Sequence, residues 1–258
     1  MKEEYKRAVI KALERTKQKQ PQILTEEDIT HLPYPVQKYL RLTGVTGKEK
    51  VMNFRVEFRG GIRSGPREKF MSLSSVQYNF IEEPTRLFHI VAKKMGIPAS
   101  GNHIYRDQKA TMVIKLLGLF TVSDAKGWQM DQGETVTVFN DMCFMAPASL
   151  IDKRIEWMQI DEKSVLAKFT NGSISITSTL FFNDKGELVD FVSNDRFETI
   201  DGKSYQNFPW STPVTAYTDI NGYHLPAVAK LIYRHPDEDF CYGEFRLVSI
   251  EYNCHDYR

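Results

Sequence analysis

Asp141 is the residue best placed to do chemistry. With Asn140 it lies inside Thr135-Val-Thr-Val-Phe-Asn-Asp-Met-Cys-Phe-Met-Ala-Pro-Ala-Ser-Leu-Ile151, a run that is apolar nearly all round a helical wheel. An ionised carboxylate is costly to bury alone, so such a residue is paired, protonated or employed. A second carboxylate, Asp195, falls on the more apolar face of a strand read over 187–200, with Val189, Phe191, Ser193 and Phe197. Two carboxylates facing one apolar pocket acquire separated pKa values, as acid and base roles require. His103 or Arg196 is the helper that such chemistry would use.

The same region also supports plain binding. Asn140, Asp141, Phe144 and Met145 would then line a pocket from the helix, and His89, Asp195, Arg196 and Trp210 from the strands and loops. Bland roles compete throughout. Asp141 can accept structural hydrogen bonds, Asn140 can do the same, and His89 in Leu87-Phe-His-Ile-Val91 can be a satisfied core histidine. Cys143 inside the apolar helix reads as inert packing. The chain lacks GxSxG, GxxxxGK and GxGxxG after a strand, and it has no His or Cys spacing suited to zinc. No metal and no cofactor are therefore expected.

The elements that must position these residues are mostly strands. Residues 2–18 read as an amphipathic helix with Tyr5, Val9, Ala12, Leu13 and Thr16 on one side. Thr25-Glu-Glu-Asp28 is an N-cap with acidic first-turn residues, and Pro35 starts a helix that Gly44 stops. From Lys50 the period becomes two. Met52, Phe54, Val56 and Phe58 alternate with polar residues, then Phe70, Ser72, Ser74, Val76, Tyr78 and Phe80 share a face. The small hydroxyls on that face leave room for a bulky partner or a cavity.

Arg86–Lys93, His103–Arg106 and Ala110–Leu117 are further strands, followed by the buried helix over Thr135–Ile151, bent or ended near Pro147. Strands then recur to residue 252, with Asn183–Gly186 and Asn221-Gly222 as hairpin turns. The expected fold is α+β: a large curved antiparallel sheet, half-barrel-like, packed on a central apolar helix, with N-terminal helices. One globular unit is expected, with a helical segment over 1–45 and a β-rich domain over 46–258.

Several segments together resemble an uncharacterised bacterial family known only as a domain of unknown function. They are Leu32-Pro-Tyr-Pro-Val-Gln-Lys-Tyr-Leu-Arg41 with Gly44, Phe139-Asn-Asp-Met-Cys-Phe-Met-Ala-Pro-Ala-Ser-Leu-Ile-Asp152 with Ile155-Glu-Trp157, Asp195-Arg196, Ser211-Thr-Pro213, and Gly222 with Leu225-Pro226. The resemblance implies no activity. Many members look membrane-anchored through an apolar N-terminal segment, whereas residues 1–20 here form a charged helix. Other members carry Glu and Trp near the positions of Asp141 and Phe144.

Lys plus Arg is 34 and Asp plus Glu is 33, so no global field would recruit nucleic acid or an anionic membrane. Three scattered cysteines form no disulfide framework. No secretory signal or membrane-length apolar run is seen, so a cytoplasmic location without stable membrane insertion is expected. The favoured function is binding of a small apolar or amphipathic, lipid-like ligand between sheet and helix. The alternatives are an acid–base enzyme using Asp141 and Asp195, or a structural or interaction module without a small-molecule site. The oligomeric state is not legible.

Overall fold

Turns of a few residues join most consecutive strands, and such turns permit only antiparallel pairing. The computed structural model describes residues 1–94, 96–199 and 201–258. Its helices are α1 (Lys2–Glu14), α2 (Glu26–Ile29), α3 (Tyr34–Thr43) and α4 (Trp128–Met145), the last continued by a 3-10 turn over Pro147–Ile151. Six strands precede α4: β1 (Asn53–Ile62), β2 (Met71–Phe80), β3 (Thr85–Lys94), β4 (Ile97–Arg106), β5 (Lys109–Leu116) and β6 (Phe120–Lys126). Ten follow it. They are β7 (Ile155–Gln159), β8 (Ser164–Asn171), β9 (Ile174–Phe182), β10 (Leu188–Ser193), β11 (Phe197–Glu198), β12 (Gln206–Asn207), β13 (Trp210–Ser211), β14 (Val214–Ile220), β15 (Tyr223–Arg234) and β16 (Asp239–Tyr252).

The protein is α+β, with one large antiparallel sheet in the order β6-β5-β4-β3-β2-β1-β16-β15-β13-β10-β9-β8-β7, β14 pairing beside β15. β11 and β12 form a separate small ribbon. The sheet curls around α4 as a half-barrel. The β1–β16 pairing brings the chain's end against the first strand and so joins the strands before α4 to those after it.

From Thr135 to Met145 α4 is apolar nearly all round, and every residue there but the half-buried Asp141 is buried. Phe139 stacks on Phe169 of β8 at 5.2 Å and meets Phe191 of β10 edge-on at 5.7 Å. Tyr39 of α3 and Tyr252 of β16 donate to the Cys143 and Met145 carbonyls at 2.9 and 2.6 Å. At its N-terminus Asp131 accepts from the Ala110 backbone at 2.8 Å, where a carboxylate also suits the helix dipole. The helix begins seven residues before the expected Thr135, since Gly127 at φ 114 ends the β6 extension and frees the turn.

The N-terminal helices follow their sequence signals. Thr25 and Asp28 cap α2 reciprocally, and Gly44 ends α3 at φ 70. α1 docks through Tyr5, Val9, Ala12 and Leu13 on the outer face of β2 and β3, against Tyr78, Phe80 and Leu87. This corrects one expectation. The face of β2 carrying Val76, Tyr78 and Phe80 looks outward under α1, while Gln77 and Asn79 look inward at α4. The sheet has two covered faces here, so apolarity alone did not identify the inner one.

β6 was not expected from sequence. Its buried residues are the small Ser123 and Ala125, and its apolar Phe120 and Val122 face solvent. No helix among the described residues is long and apolar enough to cross a membrane.

Candidate functional site

One face of α4 lines a hollow. Met130, Glu134, Thr137, Asp141 and Phe144 recur at three- and four-residue intervals and all border a cavity of about 390 Å³. The facing wall is the inner side of the half-barrel. It has a polar floor and an apolar chamber, because along β3 the inward residues run Arg86, Phe88, Ile90, Ala92, and along β4 they run His103, Gly101, Ala99. Phe58, Ile114, Leu231 and Phe245 complete the chamber. Gly101 keeps this wall close to Ile90: a Cβ there would lie 3.1 Å from Ile90 Cγ2, which would have to give by a few tenths of an ångström.

The floor is a buried network of charges. Arg86 donates from Nε to Asp141 Oδ2 at 2.8 Å, from Nη1 to Glu134 Oε2 at 3.2 Å and from Nη2 to Gln77 Oε1 at 2.9 Å. Gln77 and Asn79 donate to the same Asp141 Oδ2 at 2.7 and 3.0 Å. Arg196 donates to Tyr233 and Thr137, lies 3.7 Å from Glu134, and stands 4.6 Å over the Trp210 ring. Trp210 is itself fixed by donating to Tyr242 at 3.0 Å. Two guanidiniums thus share two carboxylates.

The two carboxylates differ in character. Burial pushes the Asp141 carboxyl up, and Arg86 and Asn79 only partly offset this, so it sits above its ordinary range. Burial also pushes Glu134 up, but His103, Arg86 and Arg196 outweigh it and hold that carboxyl below its range. His103 is pushed down to about 4, chiefly by burial, with the two arginines adding to the effect against Glu134. Its ring is therefore neutral near pH 7. His103 Nε2 lies 3.2 Å from Glu134 Oε1 but out of line for a hydrogen bond, so this buried polar atom beside the hollow has no hydrogen-bond partner among the described residues.

The expected site residues divide. Asn140, Asp141, Phe144, Met145, His103, Arg196 and Trp210 all border the cavity. Asn140 also donates to Thr212 Oγ1 at 2.7 Å, so it ties α4 to the residue that follows β13. Asp195 and His89 lie elsewhere. β10 ends at Ser193, before the expected strand does; Ile200, the last residue of that expectation, lies outside the described residues. Asp195 instead accepts from the backbone and hydroxyl of Thr177, exposed on β9, at 2.7 and 3.0 Å. The strand's inward face does not extend to it, so Asp141 and Asp195 do not converge. His89 looks outward, its ring tilted against Tyr5 with centroids 5.4 Å apart and Nδ1 2.7 Å from Asn102 Oδ1.

The carboxylate that does accompany Asp141 is Glu134, which the sequence reading missed. Its signal was its spacing, seven residues before Asp141, and it becomes visible once the helix is started at Trp128. Arg86, Gln77 and Asn79 were missed because they look like ordinary polar residues of half-exposed strands. Cys143 is pushed well above a thiol's ordinary range by burial, as suits packing. Among the described residues no group of three or more His, Cys, Asp or Glu side chains is arranged to hold a metal ion.

Comparison with known proteins gives a match over most of the chain. Residues 22–245 fit the model of a family described as a family of unknown function, DUF6544. No curated protein matches.

Proposed function

The chain belongs to the DUF6544 family, of unknown function, and we propose that it binds one amphipathic, lipid-like molecule between α4 and the sheet. The observation that carries this reading is the layered lining of the cavity. An apolar chamber of Phe58, Phe88, Ile90, Ile114 and Leu231 lies over a floor of Arg86, Glu134, Asp141, His103 and Arg196. A size of about 390 Å³ is within the range of small-molecule sites. A purely apolar guest would leave the unpartnered His103 Nε2 and the charged floor facing hydrocarbon, which is unfavourable. A guest with a polar end would satisfy the floor while its tail fills the chamber.

The preformed network favours binding without large rearrangement. Arg86 and Arg196 are held in place by carboxylates, Gln77, Thr137 and Tyr233, so a polar head meets fixed donors. Native mass spectrometry on protein purified without detergent tests the reading. One amphipathic molecule per chain, released on unfolding, is the expected result. An unoccupied chain that also takes up no fatty-acid probe would overturn it.

A further inference from the structure

The last residues of β1, β3 and β5 and the first residues of β2, β4 and β6 lie at one end of the meander, where the strand register aligns Ile62 with Met71, Lys93 with Pro98, and Leu116 with Phe120. This is also the end at which the cavity is bordered by Ile62, Arg63, Ala92 and Ala99. Here the surface is unusually apolar. Ile97, Leu117, Leu119, Phe120 and Val122 are between 47% and 75% exposed. Leu117 N–H donates to the Pro98 carbonyl at 3.0 Å, which ties the β5–β6 turn to the start of β4.

Two features argue that this patch meets something. First, β6 turns Phe120 and Val122 to solvent and buries Ser123 and Ala125, the reverse of what folding alone favours. Second, the hairpin tip is Leu117-Gly118, with Leu117 at φ 54. Asparagine or aspartate would fit that backbone better, and the leucine is left 52% exposed. An apolar edge strand left open in this way is otherwise an aggregation hazard.

Charge identifies the partner. Arg63, Arg67, Lys69, Lys93 and Lys115 flank these strand ends, with Glu68 the acidic residue among them. The far rim of the same end, the β15–β16 turn, carries exposed Asp237, Glu238 and Asp239. Apolar tips within a basic collar match an anionic bilayer surface, and the acidic rim would tilt the molecule so that the β3–β6 edge makes the contact.

We propose that this end docks on an anionic lipid surface, with Leu117, Leu119 and Phe120 entering the headgroup layer beside the mouth of the cavity. The proposal extends the amphipathic-guest reading but stands on different residues. Docking is shallow and reversible, and it involves no membrane-spanning segment.

The test is co-sedimentation of the full chain with phosphatidylglycerol vesicles and with phosphatidylcholine vesicles. Wild type should bind the former, more weakly as salt rises. The variant Leu117→Asn/Leu119→Ser should bind at least about tenfold more weakly, since each substitution withdraws one apolar contact. Its thermal midpoint should be unchanged or higher, because Asn suits the turn. Equal vesicle binding by wild type and variant, or none by wild type, overturns the proposal. So does a concentration-dependent dimer in light scattering that the variant abolishes without any vesicle binding, because the patch would then serve a second copy. The outcomes separate from those of the cavity: Ala229→Trp, which obstructs the hollow, should lose a fatty-acid probe and keep its vesicle binding.

Discussion

Replacing Arg86 by methionine probes the floor of the cavity most sharply. Its side chain is 8% exposed and bridges β3 to two points of α4, Glu134 and Asp141, that lie nearly two turns apart. Methionine keeps much of the volume and removes the charge. Glu134, 2% exposed, would retain only Arg196 at 3.7 Å as a nearby guanidinium. Breaking a buried pair from one side costs about 3–5 kcal/mol, and that is the loss expected near neutral pH. Asp141 already sits above its ordinary range in the folded state, and loss of Arg86 raises it further. A carboxyl whose folded pKa is raised destabilises increasingly as pH climbs through that value. The loss should therefore shrink as the pH is lowered from neutrality. Urea unfolding followed by tryptophan fluorescence reads both. The double variant Arg86→Met/Asp141→Asn, which removes the stranded carboxylate and keeps Glu134 opposite Arg196, should recover about 1 kcal/mol or more. A cost below about 1 kcal/mol for the single variant, or a double variant no more stable than the single, would refute this account of the network.

Three further outcomes follow from the same structure. His103 has a folded pKa of about 4 against 6.5 when unfolded, so the unfolded chain binds the extra proton between those values and stability falls as pH drops through that window. Wild type should lose about 3 kcal/mol more than His103→Gln between neutrality and about pH 4, read by urea unfolding. Phe139→Ala should cost about 3–5 kcal/mol by calorimetry, since it empties the contact with Phe169 and Phe191. Gly60→Ala should yield little folded protein by circular dichroism, because its Cβ would fall 1.9 Å from the Glu244 carbonyl oxygen across the β1–β16 pairing.

Much of the architecture was legible from period and punctuation. Two-residue alternation over Phe54, Val56 and Phe58, turn residues at Asn183–Gly186 and Asn221-Gly222, and the all-round apolar run before Pro147 led to a half-barrel about a helix. The first turns of α4 were not legible, because Trp128-Gln-Met-Asp-Gln-Gly-Glu134 is polar enough to pass for a loop. That hid Glu134. β6 escaped because its apolar face is its outer face, against the assumption that every apolar face is buried. That Asp141 must be paired, protonated or employed was readable from the cost of burying a carboxylate. Its partners Arg86, Gln77 and Asn79 were not readable, since strand register decides which polar face looks inward. Asp195 misled because alternation was extended past Ser193, where the strand ends.

Titration of an environment-sensitive fatty-acid probe into wild type and Ala229→Trp tests the central claim most directly. Ala229 borders the cavity, on the β15 wall. The account predicts saturable binding of one probe per wild-type chain, weakened at least about tenfold in the variant with an unchanged fold. Equal binding to both proteins, or no saturable binding to wild type, would contradict it.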